Sequence, residues 1–231
     1  FVLGADHRVE YRAGPVAAER GGAPGAGRRD AEVGLVADEL VEGRAVLEGK
    51  DMAGLTIAER IACGLSLVPE DRQRDGLVQT MSVGQNLSLA SIGTFVRGLL
   101  TSPKIEQELV NESIKRVTVK TSGGAAAIGS LSGGNQQKVV IGKMLATNPK
   151  VLLLDEPSRG IDIGAKAEVF RLIAERAKHG LAVIYSTSEV GECLSVAHRI
   201  IVMARGRISA EFGPDVSKEQ MMAASGEAVV A

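Results

Sequence analysis

The segment VLLLDEP (151–157) sets two carboxylates, Asp155 and Glu156, directly behind four apolar residues. Such a run reads as a strand buried on both faces, ending at the carboxyl edge of an open α/β sheet, where ligands gather. There Asp155 can hold Mg²⁺ through bound waters, and Glu156 can orient or deprotonate a water. In LSGGNQQKV (131–139), Ser132, Gly133 and Gly134 precede a helix. Small residues let backbone N–H groups approach a phosphate, and the helix start favours negative charge. In LVPEDRQRDG (67–76), Glu70 and Asp71 follow a strand end, within reach of a metal-bound or attacking water. YSTSEV (185–190) brings Ser188 and Glu189 to the same sheet edge, and Asp162 in PSRGIDIGAK (157–166) can cap the next helix. Each feature alone has a plain structural explanation: a polar turn, a serine cap, a solvated loop. Together they point to phosphate and metal chemistry.

These groups need a scaffold that gathers strand ends. From Leu131 onward the pattern predicts a helix ended by Asn148-Pro149, the strand 151–155, a helix closed by Gly180 and the strand LAVIYSTS. A short helix EVGECLSVA follows, then a hairpin HRIIVMARGRISAEF turning at Arg205-Gly206, then a tail helix after Pro214. This alternation predicts an α/β layered domain with a largely parallel sheet. Upstream, FVLGADHRVEYRAG suggests a short strand or two, followed by a loop rich in Gly, Ala and Arg up to residue 33. A short helical pattern, a strand turning at Gly49 and a helix capped by Thr56 and ended by Gly64 come next. LSLVP (65–69) reads as a buried strand and PEDRQRDGL as a charged loop. MSVGQNLSLASI and PKIEQELVNESIKRV show helical spacing, with Ile105, Leu109, Ile114 and Val117 on one broad face, and TSGGAAAIGSLSGG (121–134) reads as a flexible junction.

Composition narrows the classes. Lys plus Arg total 27 against 28 for Asp plus Glu, which argues against nucleic acid as a partner. Aromatic residues are 3% of the chain and Trp is absent, so a base-stacking platform is not expected. No run of roughly 18 apolar residues occurs, so no spanning helix is expected. Cys63 and Cys193 lack metal-like spacing and read as two buried thiols. His198 reads as flanking the hairpin, and His179 as favourable charge near a helix C-terminus.

The long central strings resemble one family. LSGGNQQKV and LLLDEPSRGIDIGAKAEV, with LVPEDRQRDGLVQTMSVGQNLSLA before them and IIVMARGRIS after, resemble the ATP-binding subunit of bacterial monosaccharide importers of the ribose, xylose and galactose type. LSGG with LLLDEP is specific for the ATP-binding cassette (ABC) superfamily, and the GNQQK and PEDR strings narrow it to the sugar importers. Those importers carry two cassettes in one chain, and residues 34–213 resemble the second, C-terminal one. The resemblance implies an α/β ABC-type nucleotide-binding domain with a mostly parallel core sheet and an inserted helical subdomain. Residues 34–79 and 131–213 would form the ATPase core, 80–130 the helical subdomain docking to the permease, and 214–231 a C-terminal tail.

The same resemblance implies ATP and Mg²⁺ as ligands, sandwiched between cassettes paired head to tail. Ser132, Gly133 and Gly134 would face the γ-phosphate on the partner cassette, Asp155 would support Mg²⁺, and Glu156 would be the general base. Asp162 would lie in the loop linking the two sites. Glu70, a candidate metal-site residue, stands where most cassettes have the glutamine that senses the γ-phosphate and couples to the membrane subunit. Ser188 stands where the superfamily usually has a histidine contacting that phosphate, and sugar-importer cassettes often have serine. The implied partners are a second cassette in the same full-length chain, a transmembrane permease and, indirectly, a periplasmic or extracellular sugar-binding protein. That would place the chain peripherally on the cytoplasmic face of the bacterial membrane. The chain opens with Phe1, so a fragment or one domain of a longer chain is expected, and the resemblance implies a first cassette before it.

The match is weakest over residues 1–33. A sound phosphate loop is G-x-x-x-x-G-K-[ST]. GGAPGAGRRD (21–30) offers Gly25, Gly27 and Arg28, the arginine standing for lysine as in many second cassettes of the family. Arg29 then takes the hydroxyl position and cannot ligate Mg²⁺. Residues 1–33 are open to three readings: a degenerate loop, a different local fold, or an error in the sequence. Two activities follow: a hydrolysing transport cassette, or a weakly or non-hydrolysing one that completes a partner's ATP site.

Overall fold

The computed structural model describes residues 2–3, 10–13, 43–97, 100–205 and 207–226. In chain order the first strands are β1 (Val2–Leu3), β2 (Glu10–Ala13), β3 (Gly43–Leu47) and β4 (Lys50–Asp51), followed by α1 (Ile57–Ala62) and β5 (Leu65–Val68). Then come α2 (Val83–Ser88), β6 (Val96–Arg97), β7 (Leu100–Thr101), α3 (Pro103–Arg116) and α4 (Gly133–Leu145). The chain closes with β8 (Val151–Asp155), α5 (Ile163–Lys178), β9 (Ala182–Ser186), α6 (Val190–Val196), β10 (Ile200–Ala204), β11 (Arg207–Phe212) and α7 (Lys218–Ser225). Two bodies are distinguished: residues 6–65, and residues 66–231 with 1–5.

In the smaller body β2, β3 and β4 form an antiparallel sheet, with Glu48 and Gly49 turning between β3 and β4. Helix α1 starts at Thr56 with a reciprocal cap. The Glu59 N–H donates to Thr56 Oγ1 (3.3 Å), and the Thr56 N–H donates to Glu59 Oε2 (2.8 Å). The Thr56 N–H, together with the Thr56 hydroxyl donating to the same oxygen (2.7 Å), holds the Glu59 carboxyl below its ordinary value. The helical pattern expected from Gly34 lies outside the described residues up to Gly43.

In the larger body the central sheet runs β1-β9-β8-β5. Strands β8 and β9 are parallel, with Asp155 opposite Ser186, and β1 pairs antiparallel with β9. The first four residues of β8 are buried, as a run of apolar residues between two covered faces requires. Helix α4 is buried round most of its circumference, including Gln136, Gln137, Lys138 and Lys143. Such groups must be satisfied inside. Lys138 pairs with Glu168 and donates to the Thr118 carbonyl, and Lys143 donates to the Gly76 carbonyl. Burial pushes Lys143 below its ordinary value. The apolar core joins Leu152, Leu154, Val183 and Tyr185 of the sheet to Val139, Val140 and Ile141 of α4 and Val169, Phe170 and Ile173 of α5. A second cluster, Cys193, Ala197, Ile200, Val202 and Met221, packs α6 and α7 on the β10–β11 hairpin.

Two local readings change. PEDRQRDGL contains a π-helical turn, Arg72–Gly76, capped by Asp71, whose carboxylate accepts from the Gln73 and Arg74 amides. Its charged composition hid the turn because the anchoring bonds go to distant residues. The glycine-rich stretch 121–134 is pinned rather than loose. Val83 and Gly84 N–H groups donate to the Ala126 and Gly124 carbonyls, and Ile128 is fully buried. The helical spacing across 81–117 holds as α2 and α3. The face of α3 that is buried centres on Val110 and Ser113, with Ile114 packed beside it.

Candidate functional site

Parallel pairing of β8 and β9 places their carboxyl ends side by side, so the loops after Asp155 and Ser186 form one edge. Ser186 Oγ donates to Asp155 Oδ1 there, and Asp155 is exposed. Glu156 follows with φ at 40°, in the left-handed region. For a non-glycine residue that conformation costs about 1–3 kcal/mol and persists only where neighbours over-determine it. The neighbours are specific. The Glu156 N–H donates to the Ser186 carbonyl (3.0 Å), the Ser188 N–H donates to Glu156 Oε1 (2.8 Å), and Thr187 Oγ1 lies 3.5 Å from Glu156 Oε2.

Behind this edge sits a buried carboxylate, Glu192, on α6. It accepts from Ser158 Oγ, from Thr187 Oγ1 (2.8 Å) and from Lys166 Nζ (2.8 Å). Lys166 also pairs with Glu189 at 2.7 Å, and hydrogen bonds to Glu189 and then Glu192 raise its pKa above the ordinary lysine value. A cleft of about 480 Å³ opens here, lined by Glu156, Ser158, Arg159, Lys166, Ser188 and Glu189 among others.

The glycine turn before α4 is built differently. Ser132 is the N-cap, but its hydroxyl accepts from Asn135 Nδ2 (3.0 Å) rather than from a backbone amide. A Cβ on Gly133 would come within 2.9 Å of the Arg72 guanidinium, and one on Gly134 within 2.3 Å of Ala165 Cβ. At Gly134 glycine is what lets α5 come this close, whereas at Gly133 the nearest neighbour is the end of an arginine side chain. Arg72 donates to the carbonyls of Arg159 (2.8 Å) and Gly160 (3.0 Å), so the π-helical turn, the glycine turn and the loop after β8 meet. Gln73 extends the same join by donating to Gln136 of α4 (3.1 Å).

The expected residues thus fall into groups. Asp155, Glu156 and Ser188 come together through Ser186 and backbone bonds. Gly133 and Gly134 pack against Arg72 and Ala165. Glu70 pairs with Arg159. Asp162 caps α5 by accepting from the Ala165 N–H (2.9 Å). Gly25, Gly27 and Arg28 lie outside the described residues. Among the described residues no group of three or more His, Cys, Asp or Glu could hold a metal unaided. Mg²⁺ takes one or two protein carboxylates and completes its shell with phosphate and water. Asp155, exposed and steadied by Ser186, is a fitting donor.

Sequence reasoning missed Lys166, Thr187, Glu192 and Arg72. Thr187, Lys166 and Arg72 lie within the segments 185–190, 157–166 and 67–76 without having been singled out there. Glu192 carried a faint signal, an acid beside Cys193 on a short helix whose apolar side must be buried. Its partners Ser158 and Lys166 come from other elements, which only the folded chain brings near.

A family model described as ABC transporter matches residues 33–159. The chain is 43% identical over 186 residues to the xylose import ATP-binding protein XylG of Escherichia coli (strain UTI89 / UPEC), covering 80% of this chain and 36% of that protein. The XylG proteins of Escherichia coli (strain K12) and Shigella flexneri serotype 5b (strain 8401) match to the same extent. The chain therefore spans about a third of the length of these curated relatives. Among solved structures, the ATP-binding cassette MJ0796 in a dimeric post-hydrolysis state bound to ADP and Pi superposes with a TM-score of 0.65 at 21% identity, covering 78% of this chain and 77% of that one. A nucleotide-free cassette from an ABC transporter superposes with a TM-score of 0.63 at 24% identity, covering 80% and 74%. These two likenesses establish the α/β cassette fold with its parallel core sheet.

Proposed function

Because the chain belongs to the ABC transporter family, we propose that it is an ATP-binding cassette coupling ATP binding and hydrolysis to monosaccharide import through a membrane permease. The observation that carries this is Glu156, held beside Asp155 at the carboxyl edge of parallel strands by the Ser188 N–H (2.8 Å). The 43% identity to xylose import ATP-binding proteins supports sugar as the cargo class. Glu156 would accept a proton from the attacking water, and Asp155 would hold Mg²⁺, which neutralises charge building on the phosphate oxygens. Ser188 would contact the γ-phosphate with its hydroxyl while its N–H keeps Glu156 aimed. Glu70 would reach the metal-bound water once its pair with Arg159 opens.

The opposing half of a site would come from Ser132, Gly133 and Gly134, presented to a second cassette's nucleotide. That second cassette, in the same full-length chain, and a transmembrane permease are the proposed partners, with a sugar-binding protein acting through the permease. The chain would then work from the cytoplasmic face of the membrane. Among the described residues no helix is long and apolar enough to cross one. Residues 80–130 are proposed to dock on the permease, where Leu89, Ile92 and Val96 expose apolar surface. We assign the chain to the second cassette, with a weakened phosphate loop.

That loop favours a second reading, a cassette of low turnover that mainly completes a partner's site. Arg29 stands at the hydroxyl position of the sequence motif, so a phosphate loop formed there would lack that Mg²⁺ ligand. Mg²⁺-dependent phosphate release by the full-length protein, compared with its Glu156→Gln form, separates the two. Turnover that Glu156→Gln abolishes supports hydrolysis here, and equal turnover in both assigns hydrolysis elsewhere.

A further inference from the structure

We propose that Glu192 and Thr187 form a clamp that positions Glu156, with the buried Glu192 carboxylate tying together the two loops between which Glu156 is held. The clamp rests on the reading of Glu156 as the base, but its geometry stands apart from any nucleotide. Ser158, two residues after Glu156, gives its hydroxyl proton to Glu192 Oε1. Thr187, directly before Ser188, gives its hydroxyl proton to Glu192 Oε2 at 2.8 Å. One carboxylate therefore grips the loop after β8 and the loop after β9 at once. The Glu156–Ser188 bond spans the same two loops from the solvent side.

Thr187 has a single hydroxyl proton and two acidic neighbours. Glu192 takes it at 2.8 Å, while Glu156 lies at 3.5 Å. The Glu189 N–H donates to the same hydroxyl at 3.1 Å, which fixes the rotor. Lys166 supplies the countercharge that lets Glu192 stay buried, since an unpaired carboxylate there would be costly. The clamp explains why Glu156 keeps a left-handed backbone: both flanking loops are fixed, so the strained peptide has nowhere to relax. Glu192 and Thr187 are positioning residues, acting on Glu156 through Ser188 and Ser158.

The test is amide hydrogen exchange at Ser188 in the full chain, measured against Val183 in β9 as an internal reference, together with MgATP turnover. Thr187→Val removes the hydroxyl, and Glu192→Gln turns an acceptor facing three donors into a mixed group. Each is expected to speed Ser188 exchange about tenfold relative to Val183 and to lower kcat about tenfold, with KM for MgATP unchanged. Thr187→Ser, which keeps the hydroxyl, is expected to recover most of the protection that Thr187→Val loses. Ser188 exchange unchanged in Thr187→Val overturns the clamp, as does turnover that falls without faster exchange. Should Glu192→Gln fail to fold, Thr187→Val decides. Turnover in the unaltered protein no higher than in Glu156→Gln sinks the ATPase reading alone, and Ser188 exchange still decides the clamp.

Discussion

At the ends of β8 and β9 a side chain proposed as catalytic is itself held by hydrogen bonds, whereas at the start of α4 side-chain bonds surround two glycines that are held by close packing. Glu156 is fixed by Ser188, Thr187 and the groups around Glu192. Gly133 and Gly134 are fixed because Arg72 and Ala165 occupy the space a Cβ would need. The first arrangement tolerates changes of shape and is sensitive to changes of charge or proton count. The second is sensitive to a single carbon at Gly134, where the Ala165 Cβ already fills the space. The proposed role of Glu156 as a base would need the first kind, and the proposed presentation of the Gly133–Gly134 turn to a second cassette would need the second.

Substitutions can break or sharpen this contrast. Glu156→Gln keeps an acceptor for the Ser188 N–H, so the fold should survive while the proton acceptor is lost. Turnover should fall by about 10²–10³-fold with an unchanged urea midpoint. Unfolding of this variant would show that the carboxylate edge is governed by stability after all. Gly134→Ala should do the reverse, costing about 2 kcal/mol of stability because the two backbones must part. Chemical denaturation reads that loss, and a midpoint equal to the unaltered chain's would dissolve the contrast.

Lys166 offers a smaller, pH-dependent effect. Its pKa is raised above 10.5 in the folded chain by Glu189 and Glu192. The stabilisation is therefore complete below the unfolded value and is lost as pH rises through the folded one. Stability measured across pH ~9 to 12 should decline more steeply in the unaltered chain than in Lys166→Met. Parallel curves would mean that Lys166 adds nothing to the edge. Smallest should be Arg199→Ala, which breaks a surface pair with Glu211 at 2.7 Å, outside both regions. Its cost should stay below about 1 kcal/mol and fade in added salt.

Much of the contrast was legible in the sequence, for reasons that can be stated residue by residue. VLLLD announces a doubly covered strand because four consecutive apolar residues have no other economical place, and the acids after it then fall at a sheet edge. The caps Thr56 and Asp162 were readable because a cap is a local device, settled within a few positions. Ser132, by contrast, begins α4 without a side-chain cap to the backbone, its hydroxyl taken by Asn135. Glu192 and Arg72 escaped because their partners lie far along the chain. A glutamate on a short amphipathic helix looks solvated until Ser158 and Lys166 arrive. An arginine in a charged loop looks free until the carbonyls of Arg159 and Gly160 meet it. Periodicity records which face of an element is covered, not which distant group covers it.

The two cysteines reach beyond packing. Cys63 belongs to the body of residues 6–65, is partly exposed and accepts from Lys50 Nζ at 3.1 Å. Cys193 belongs to the other body, is buried, and burial pushes its thiol up to about 11. Alkylating reagents attack the thiolate, so burial slows reaction at Cys193 both by limiting access and by raising its pKa. The molecule therefore carries a pair of built-in chemical clocks, one per body. Modification of Cys63 would time the ordinary breathing of the first. Modification of Cys193 would time only those openings that lift α6 and α7 from the hairpin.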